Sequence, residues 1–354
     1  MELDKILTYW LDMVQPVNEE AMAAARERWN ALAKPLHGLG QLESSVISIA
    51  GITGSYEVRT DKKGLLVLCA DNGVVEEGVT QTGQEVTSVM AQNFLSGNTT
   101  SGILCRKAGI DLMPIDVGMS RETDVPARKA ASGTGDIAVT DAMTRAQAVE
   151  SILTGISLVK EAKENGYEIL SVGEMGIGNT TTSSAVASVL LDLPAEKVTG
   201  TGAGLSREGL KRKIQVVNQA VSKRHPDKTD PVDVLARVGG FDLAGLTGVC
   251  IGAGCCHIPV VLDGFITCVA ALAAVRLNPG ILPYLIPSHR STEPGMDAVL
   301  EALQMSPGLD LNLCAGEGCG AVLYLTLLDE AVSVYREMST FSENQLESYK
   351  EFPS

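Results

Sequence analysis

The chain has 354 residues, 45% of them hydrophobic and 20% charged, which suits one large α/β domain with an appendage or two domains. A formal net charge of −15 argues against nucleic acid and anionic membrane surfaces as partners, but not against one small anion in a local site. Glycine is abundant at 36 residues and aromatics are scarce at 4%, which fits a turn-rich α/β enzyme better than a β-sandwich or a base-stacking nucleic-acid binder.

The opening MELDKILTYWLDMV carries acids early and lacks a basic stretch followed by an apolar run, so no signal peptide is expected. Residues 1 to about 33 read as helices. Ile6, Leu7, Trp10, Leu11 and Val14 recur at helical spacing, and NEEAMAAARERWNALA follows with strong helix formers. KPLHGLGQLE then marks a turn. From about residue 64 short apolar runs alternate with longer helical stretches, the pattern of βαβ units on a parallel sheet. The predicted strands are LLVLCA, DLMPIDV, EILSVG, PVVLDG and LPYLIPS, with the third ending at Ser171 and Val172. Each is followed by small or polar residues: DNG (71–73), GMS (118–120), EMGIGNTT (174–181), DG (263–264) and SHRSTE (288–293). Open α/β sheets bind ligands beyond the carboxyl ends of their strands, so these five loops are expected to converge on one site. The longest apolar run, Phe265 to Val275, is far short of a membrane span, and a soluble, cytoplasmic protein is expected.

After about residue 295 the pattern returns to helices, GMDAVLEALQMS and GAVLYLTLLDEAVSVYREMSTF. The expected organisation is a large α/β domain over 61–295, flanked by N-terminal helices (1–60) and a C-terminal glycine loop with helices (296–354), the two ends forming a smaller helical domain. The eight cysteines sit mostly in apolar segments without C-x-x-C spacing, and adjacent Cys255, Cys256 and His257 diverge too much to start a tetrahedral site. Reduced thiols and no metal are expected.

Three glycine clusters carry the chemistry. In GEMGIGNTT, Gly173 and Gly178 have the spacing of the phosphate loop G-x-x-x-x-G-K-S/T, and Thr180 is in place, but Asn179 stands where the lysine belongs. A helix starting at the threonines turns backbone N–H groups and its positive end toward an anion. A triphosphate with magnesium needs the lost cation, whereas a monoester is held by amides and hydroxyls. A P-loop kinase is the competing reading, and it requires ATP binding. The second cluster, VTGTGAGLSREGLKRK, repeats the theme, with Lys213 as a source of positive charge. The third, LCAGEGCGAVLYL, places Glu317 between Gly316 and Gly318 at a helix start. There a carboxylate meets ligand with little hydration and serves either as a general base or as an acid stabilised by the helix dipole. Neither G-x-G-x-x-G nor G-x-S-x-G occurs in these segments.

Taken in order, KPLHGLGQLE, ADNGVVEEGV, GQEVT, PIDVGM, GTGDIA, GEMGIGNTTTSSA, GTGAGL, DGF, SHRSTEPG and GEGCGA resemble the nicotinate-nucleotide:dimethylbenzimidazole phosphoribosyltransferase family of cobamide lower-ligand activation. The resemblance implies a Rossmann-like parallel sheet with a smaller helical domain from both chain ends. It also implies a dimer, identical or with a homologous subunit, that needs no cofactor or metal. The implied reaction moves phosphoribose from nicotinate mononucleotide to an aromatic base. Glu317 is implied as the general base, Glu174 as a second acid and Lys213 as a neighbouring cation. Gly176, Gly178, Asn179, Thr180, Gly202, Gly264 and Ser291 are implied around phosphate and ribose, and Thr80, Gln84 and Ala315 around the acceptor. The chain departs from the family at Asn72 (usually histidine), Cys314 and Ala315 (arginine and leucine), Cys319 (threonine) and GTGAG (often GRGTG). The small Ala315 beside the base leaves a reshaped acceptor pocket open, with phenols, purines or an inactive homologous subunit as alternatives.

Overall fold

The computed structural model describes residues 2–350. It opens with α1 (Glu2–Asp12), α2 (Glu19–Ala31) and α3 (Gln41–Thr53), which lead into β1 (Lys63–Ala70). Then come α4 (Glu85–Ser96), α5 (Thr100–Ala108), β2 (Asp111–Gly118), α6 (Arg145–Glu164) and β3 (Ile169–Met175). The next stretch is helical: α7 (Asn179–Leu191), α8 (Ala195–Val198), α9 (Arg207–Arg224), α10 (Pro231–Val238) and α11 (Phe241–Cys256). The chain finishes with β4 (Val260–Leu262), α12 (Phe265–Leu277), β5 (Leu285–Pro287), α13 (Met296–Leu303) and α14 (Cys319–Glu337).

The strands form one parallel sheet in the order β2-β1-β3-β4-β5. The chain enters at β1, steps outward to β2, then returns to the other side of β1 as β3, which makes the β1/β3 boundary the topological switch point. Both faces are covered, as the near-continuous apolar strands require. In β1, Leu66, Leu68 and Ala70 join the core under α6, α7 and α9 to α13, while Leu65, Val67 and Cys69 join the core shared by α2, α3, α5 and α14.

These layers divide the chain differently from its ends. Helices α2 and α3 meet each other, and α3 and α5 meet α14, as a domain built from both termini requires. Helix α1, however, packs on α6 and α11 at the opposite face, with the Cys255 thiol donating to Trp10 O at 3.0 Å. Helix α13 likewise packs on α12 and α7. The expected grouping of 1–60 with 296–354 therefore splits, because Leu7 buries itself in the larger core. Several glycines also lie outside turns: a Cβ at Gly155 would run into Gly245 O, and one at Gly248 into Ile152 O, so α6 and α11 approach backbone to backbone. Among the described residues no helix is long and apolar enough to cross a membrane.

Candidate active site

A cavity of about 280 Å³ lies beyond the carboxyl ends of β3, β4 and β5. Its lining includes Glu174 and Met175 from β3, Asp263 and Gly264 after β4, His289 and Ser291 after β5, and the 314–317 loop. The first residues of α7 and α12 and the loop entering α14 also line it. All three helices start at a glycine, Gly178, Gly264 or Gly318, which has no side chain to cap them, although the Asp263 carboxylate accepts from Ala321 N in the first turn of α14 at 3.1 Å. Helices α2, α5, α6, α9 and α10 are closed by Asn18, Thr99, Thr144, Ser206 and Asp230, whereas α3, α11 and α13 also start at glycines without a side-chain cap. Three helix ends with positive partial charge thus meet at one cavity, an arrangement suited to an anionic ligand. Of the five loops expected to converge, three reach the lining. DNG and GMS stand behind it, where Ser120 N and Oγ donate to Asp71 Oδ2 at 2.8 and 2.6 Å.

The α7 corner corrects the phosphate-loop reading. Strand β3 continues past Ser171 and Val172 through Glu174 and Met175, and Gly173 pairs with Val67 inside the sheet. A Cβ on Gly173 would lie 2.5 Å from Glu317 C and Gly318 N, so this glycine makes room for the Glu317 loop rather than for phosphate. Gly178 holds the turn at φ 94, a conformation open to glycine and strained for most residues. Asn179, in the lysine's place, donates from Nδ2 to Glu174 Oε2. Lys213, 1% exposed, reaches in from α9 to donate from Nζ to Thr180 Oγ1 at 2.7 Å. Burial lowers its pKa from 10.5 to about 8, against the pull of Glu293.

The Glu317 loop is the most unusual backbone in the site. Gly316, Glu317 and Gly318 follow one another at φ 69, 58 and 85. A glutamate at positive φ is uncommon and is kept only where its surroundings fix it. Here the loop rests on the bare Gly173, and Glu317 Oε2 accepts from Ser101 N and Oγ, each at 3.2 Å.

Further acids lie close by. Burial raises Glu174 from 4.5 to about 8, opposed by the Asn179 amide and reinforced by Asp242, Asp263 and Glu317. Burial raises Asp263 to about 7, against the N–H groups of Ala321, Gly320, Gly318 and Gly264. Burial raises Asp242 to about 6, against the Leu243 N–H. Burial also lowers His289 to about 4, leaving a neutral imidazole with Nδ1 3.0 Å from Ser288 Oγ.

Glu174, Gly176, Asn179, Thr180, Gly202, Gly264, Ser291, Ala315 and Glu317 therefore line one cavity, with Lys213 directly behind Thr180 and Gly178 at the corner. Thr80 and Gln84 lie outside the lining. Thr80 Oγ1 donates to Thr82 O at 2.7 Å, and Gln84 Nε2 donates to Asn72 O at 3.0 Å, so their side chains brace the loop after β1. Met90 from α4 takes their place in the wall. Asp263 and His289 stood in the DG and SHRSTE loops, and their position after strand ends was the signal that could have singled them out.

A family model described as "Phosphoribosyltransferase" matches residues 14–346. The chain belongs to this phosphoribosyltransferase family. Among its relatives, the nicotinate-nucleotide–dimethylbenzimidazole phosphoribosyltransferase of Acetivibrio thermocellus is 47% identical over 343 residues, 96% of this chain and 98% of the relative. The enzyme of the same name from Ruminiclostridium cellulolyticum is 46% identical over 96% of this chain and 97% of its own. The crystal structure of CobT from Thermus thermophilus superimposes with a TM-score of 0.87 at 39% identity, covering 93% of this chain and 99% of that one. Family membership and the parallel α/β fold are thus established from both sequence and structure.

Proposed function

We infer that the protein transfers the phosphoribosyl group of nicotinate mononucleotide to 5,6-dimethylbenzimidazole or a related lower-ligand base in cobamide synthesis. The observation that carries this reading is one cavity that joins a carboxylate on a left-handed glycine loop to three glycine-capped helix starts and the Lys213–Thr180 pair. The helix ends, Thr180 and Lys213 suit a phosphate monoester, and Glu317 suits a proton acceptor. The substrates come from the relatives, both named for dimethylbenzimidazole. No feature of the cavity favours phenols.

In this reading, a ring nitrogen of the acceptor attacks the anomeric carbon from the face opposite nicotinate. The new C–N bond forms as the old one breaks, the electron pair returns to the pyridinium nitrogen, and the acceptor's N–H proton passes to Glu317. Inversion gives an α-riboside 5′-phosphate and nicotinate. Since the cationic ring leaves readily, the protein's task is mainly to position the reactants and take up the proton. Glu174, held mainly as the neutral acid at pH 7, offers a hydrogen bond to a hydroxyl or ring atom. Lys213 and the helix ends supply the positive charge, so neither metal nor cofactor enters. The reading includes a dimer acting in the cytoplasm.

The test is nicotinate release from nicotinate mononucleotide with dimethylbenzimidazole, followed by chromatography. Turnover that survives chelator and falls at least about a hundredfold in Glu317→Gln, with nucleotide binding retained, is expected for loss of a general base. A folded, nucleotide-binding wild type that releases no nicotinate overturns the reading in favour of an inactive subunit.

A further inference from the structure

We propose that Ser101 is the positioning residue that fixes Glu317 for proton transfer; this rests on Glu317 being the base in the reaction inferred above. Ser101 is fully buried in the first turn of α5, 216 residues away from Glu317 along the chain, and outside every glycine motif of the site. Its N–H and its hydroxyl both donate to the same oxygen, Oε2, at 3.2 Å. Oε1 has no hydrogen-bond partner among the described residues, and the residue lines the cavity. One oxygen is thus pinned while the other stays free to accept a proton.

The serine hydroxyl also meets Thr99. Gly102 N donates to Thr99 Oγ1 at 3.0 Å, and that oxygen lies 3.3 Å from Ser101 Oγ. An ionised carboxylate only accepts, so the Ser101 hydroxyl donates to Glu317 Oε2 and is left to accept from Thr99. The α5 start thereby donates to the carboxylate from backbone and side chain together. Glu317 needs such support. Its backbone is fixed by Gly173, while its side chain extends from a left-handed loop into the lining of the cavity.

The experiment compares wild type with Ser101→Ala. A hydrogen bond to a charged group predicts a kcat about tenfold lower. The KM for nicotinate mononucleotide and its calorimetric affinity should stay at wild-type values, and the variant should remain folded at the assay temperature with only the small loss of melting temperature that one buried hydrogen bond entails. A kcat within twofold of wild type overturns the proposal, as does a comparable fold-loss in nucleotide affinity, which marks a structural role. Ser101→Cys keeps the volume with a weaker donor, so an intermediate kcat is expected; it substitutes if the alanine variant does not fold. If wild type itself releases no nicotinate, the functional reading has failed separately, and crystal structures decide on Ser101. The Glu317 carboxylate is expected on Ser101 in wild type and displaced in Ser101→Ala, and an unmoved carboxylate overturns the proposal.

Discussion

Glu174 shows how burial among other acids can assign a protonation state. It is 8% exposed at the end of a central strand, with acids around it and an amide as its hydrogen-bond donor. Its carboxyl titrates near 4.5 when unfolded and near 8 when folded, so between these values the folded chain holds a proton that the unfolded chain has released. The stability this contributes is greatest at the acidic end and is lost as pH rises through the folded value. Asp263, raised to about 7, and Asp242, raised to about 6, act in the same direction over lower windows. Each such group gives a slope of at most about 1.36 kcal/mol per pH unit. Glu174→Gln keeps the shape of the neutral acid, so urea unfolding between about pH 7 and 8 should lose part of its downward slope in this variant. An unchanged slope would mean that Glu174 is ionised in the folded protein at neutral pH.

Lys213 is the complementary case. Burial lowers it to about 8, so just above neutrality the lysine begins to lose its charge in the folded protein. A phosphate at Thr180 favours the charged form, and nucleotide affinity is therefore expected to fall as pH rises through about 8. Calorimetry with nicotinate mononucleotide in buffers of different ionisation enthalpy measures the accompanying proton uptake. Uptake near zero at this pH, with affinity unchanged, would exclude Lys213 from the phosphate site.

At the scale of elements, the contact between β3 and the loop before α14 organises the site. Gly173 lies inside the strand, and the peptide joining Glu317 to Gly318 occupies the space of its missing side chain. Gly173→Ala should push that loop off the sheet, at an overpacking cost of about 1–3 kcal/mol. Turnover should be lost with little change in circular dichroism, since the strand's hydrogen bonds remain. Normal turnover in this variant would show that the loop tolerates displacement.

The same contact explains what was legible in the chain. The five strands were readable because each is a short apolar run closed by turn residues, and parallel strands covered on both faces need no alternation. The glycine motifs were readable as a group. Their individual roles were not, because Gly173 and Gly178 sit at phosphate-loop spacing while only Gly178 serves the turn. Thr80 and Gln84, expected around the acceptor, lie outside the cavity lining for a related reason. Polar side chains near a site are as often used up on backbone carbonyls, here Thr82 O and Asn72 O, as offered to a ligand. Ser101 carries no local signal at all, since its importance comes from a contact that only the fold creates.

At the scale of the molecule, a chain of net charge −15 is read as a binder of an anionic nucleotide. The two fit together because they act over different distances. The acidic surface repels an anion over the Debye length, about 10 Å at 0.1 M salt, whereas the helix ends, Thr180 and Lys213 act at contact inside the cavity. Salt therefore screens the long-range repulsion more strongly than the local attraction. The KM for nicotinate mononucleotide should stay level or fall as potassium glutamate, chosen to avoid chloride competition, rises from about 10 to 150 mM. A protein that captured its ligand through exposed cations would instead lose affinity steeply over the same range, as nucleic-acid binders do. A steep rise in KM would place the phosphate on surface lysines and arginines, outside the cavity where the three helix starts meet.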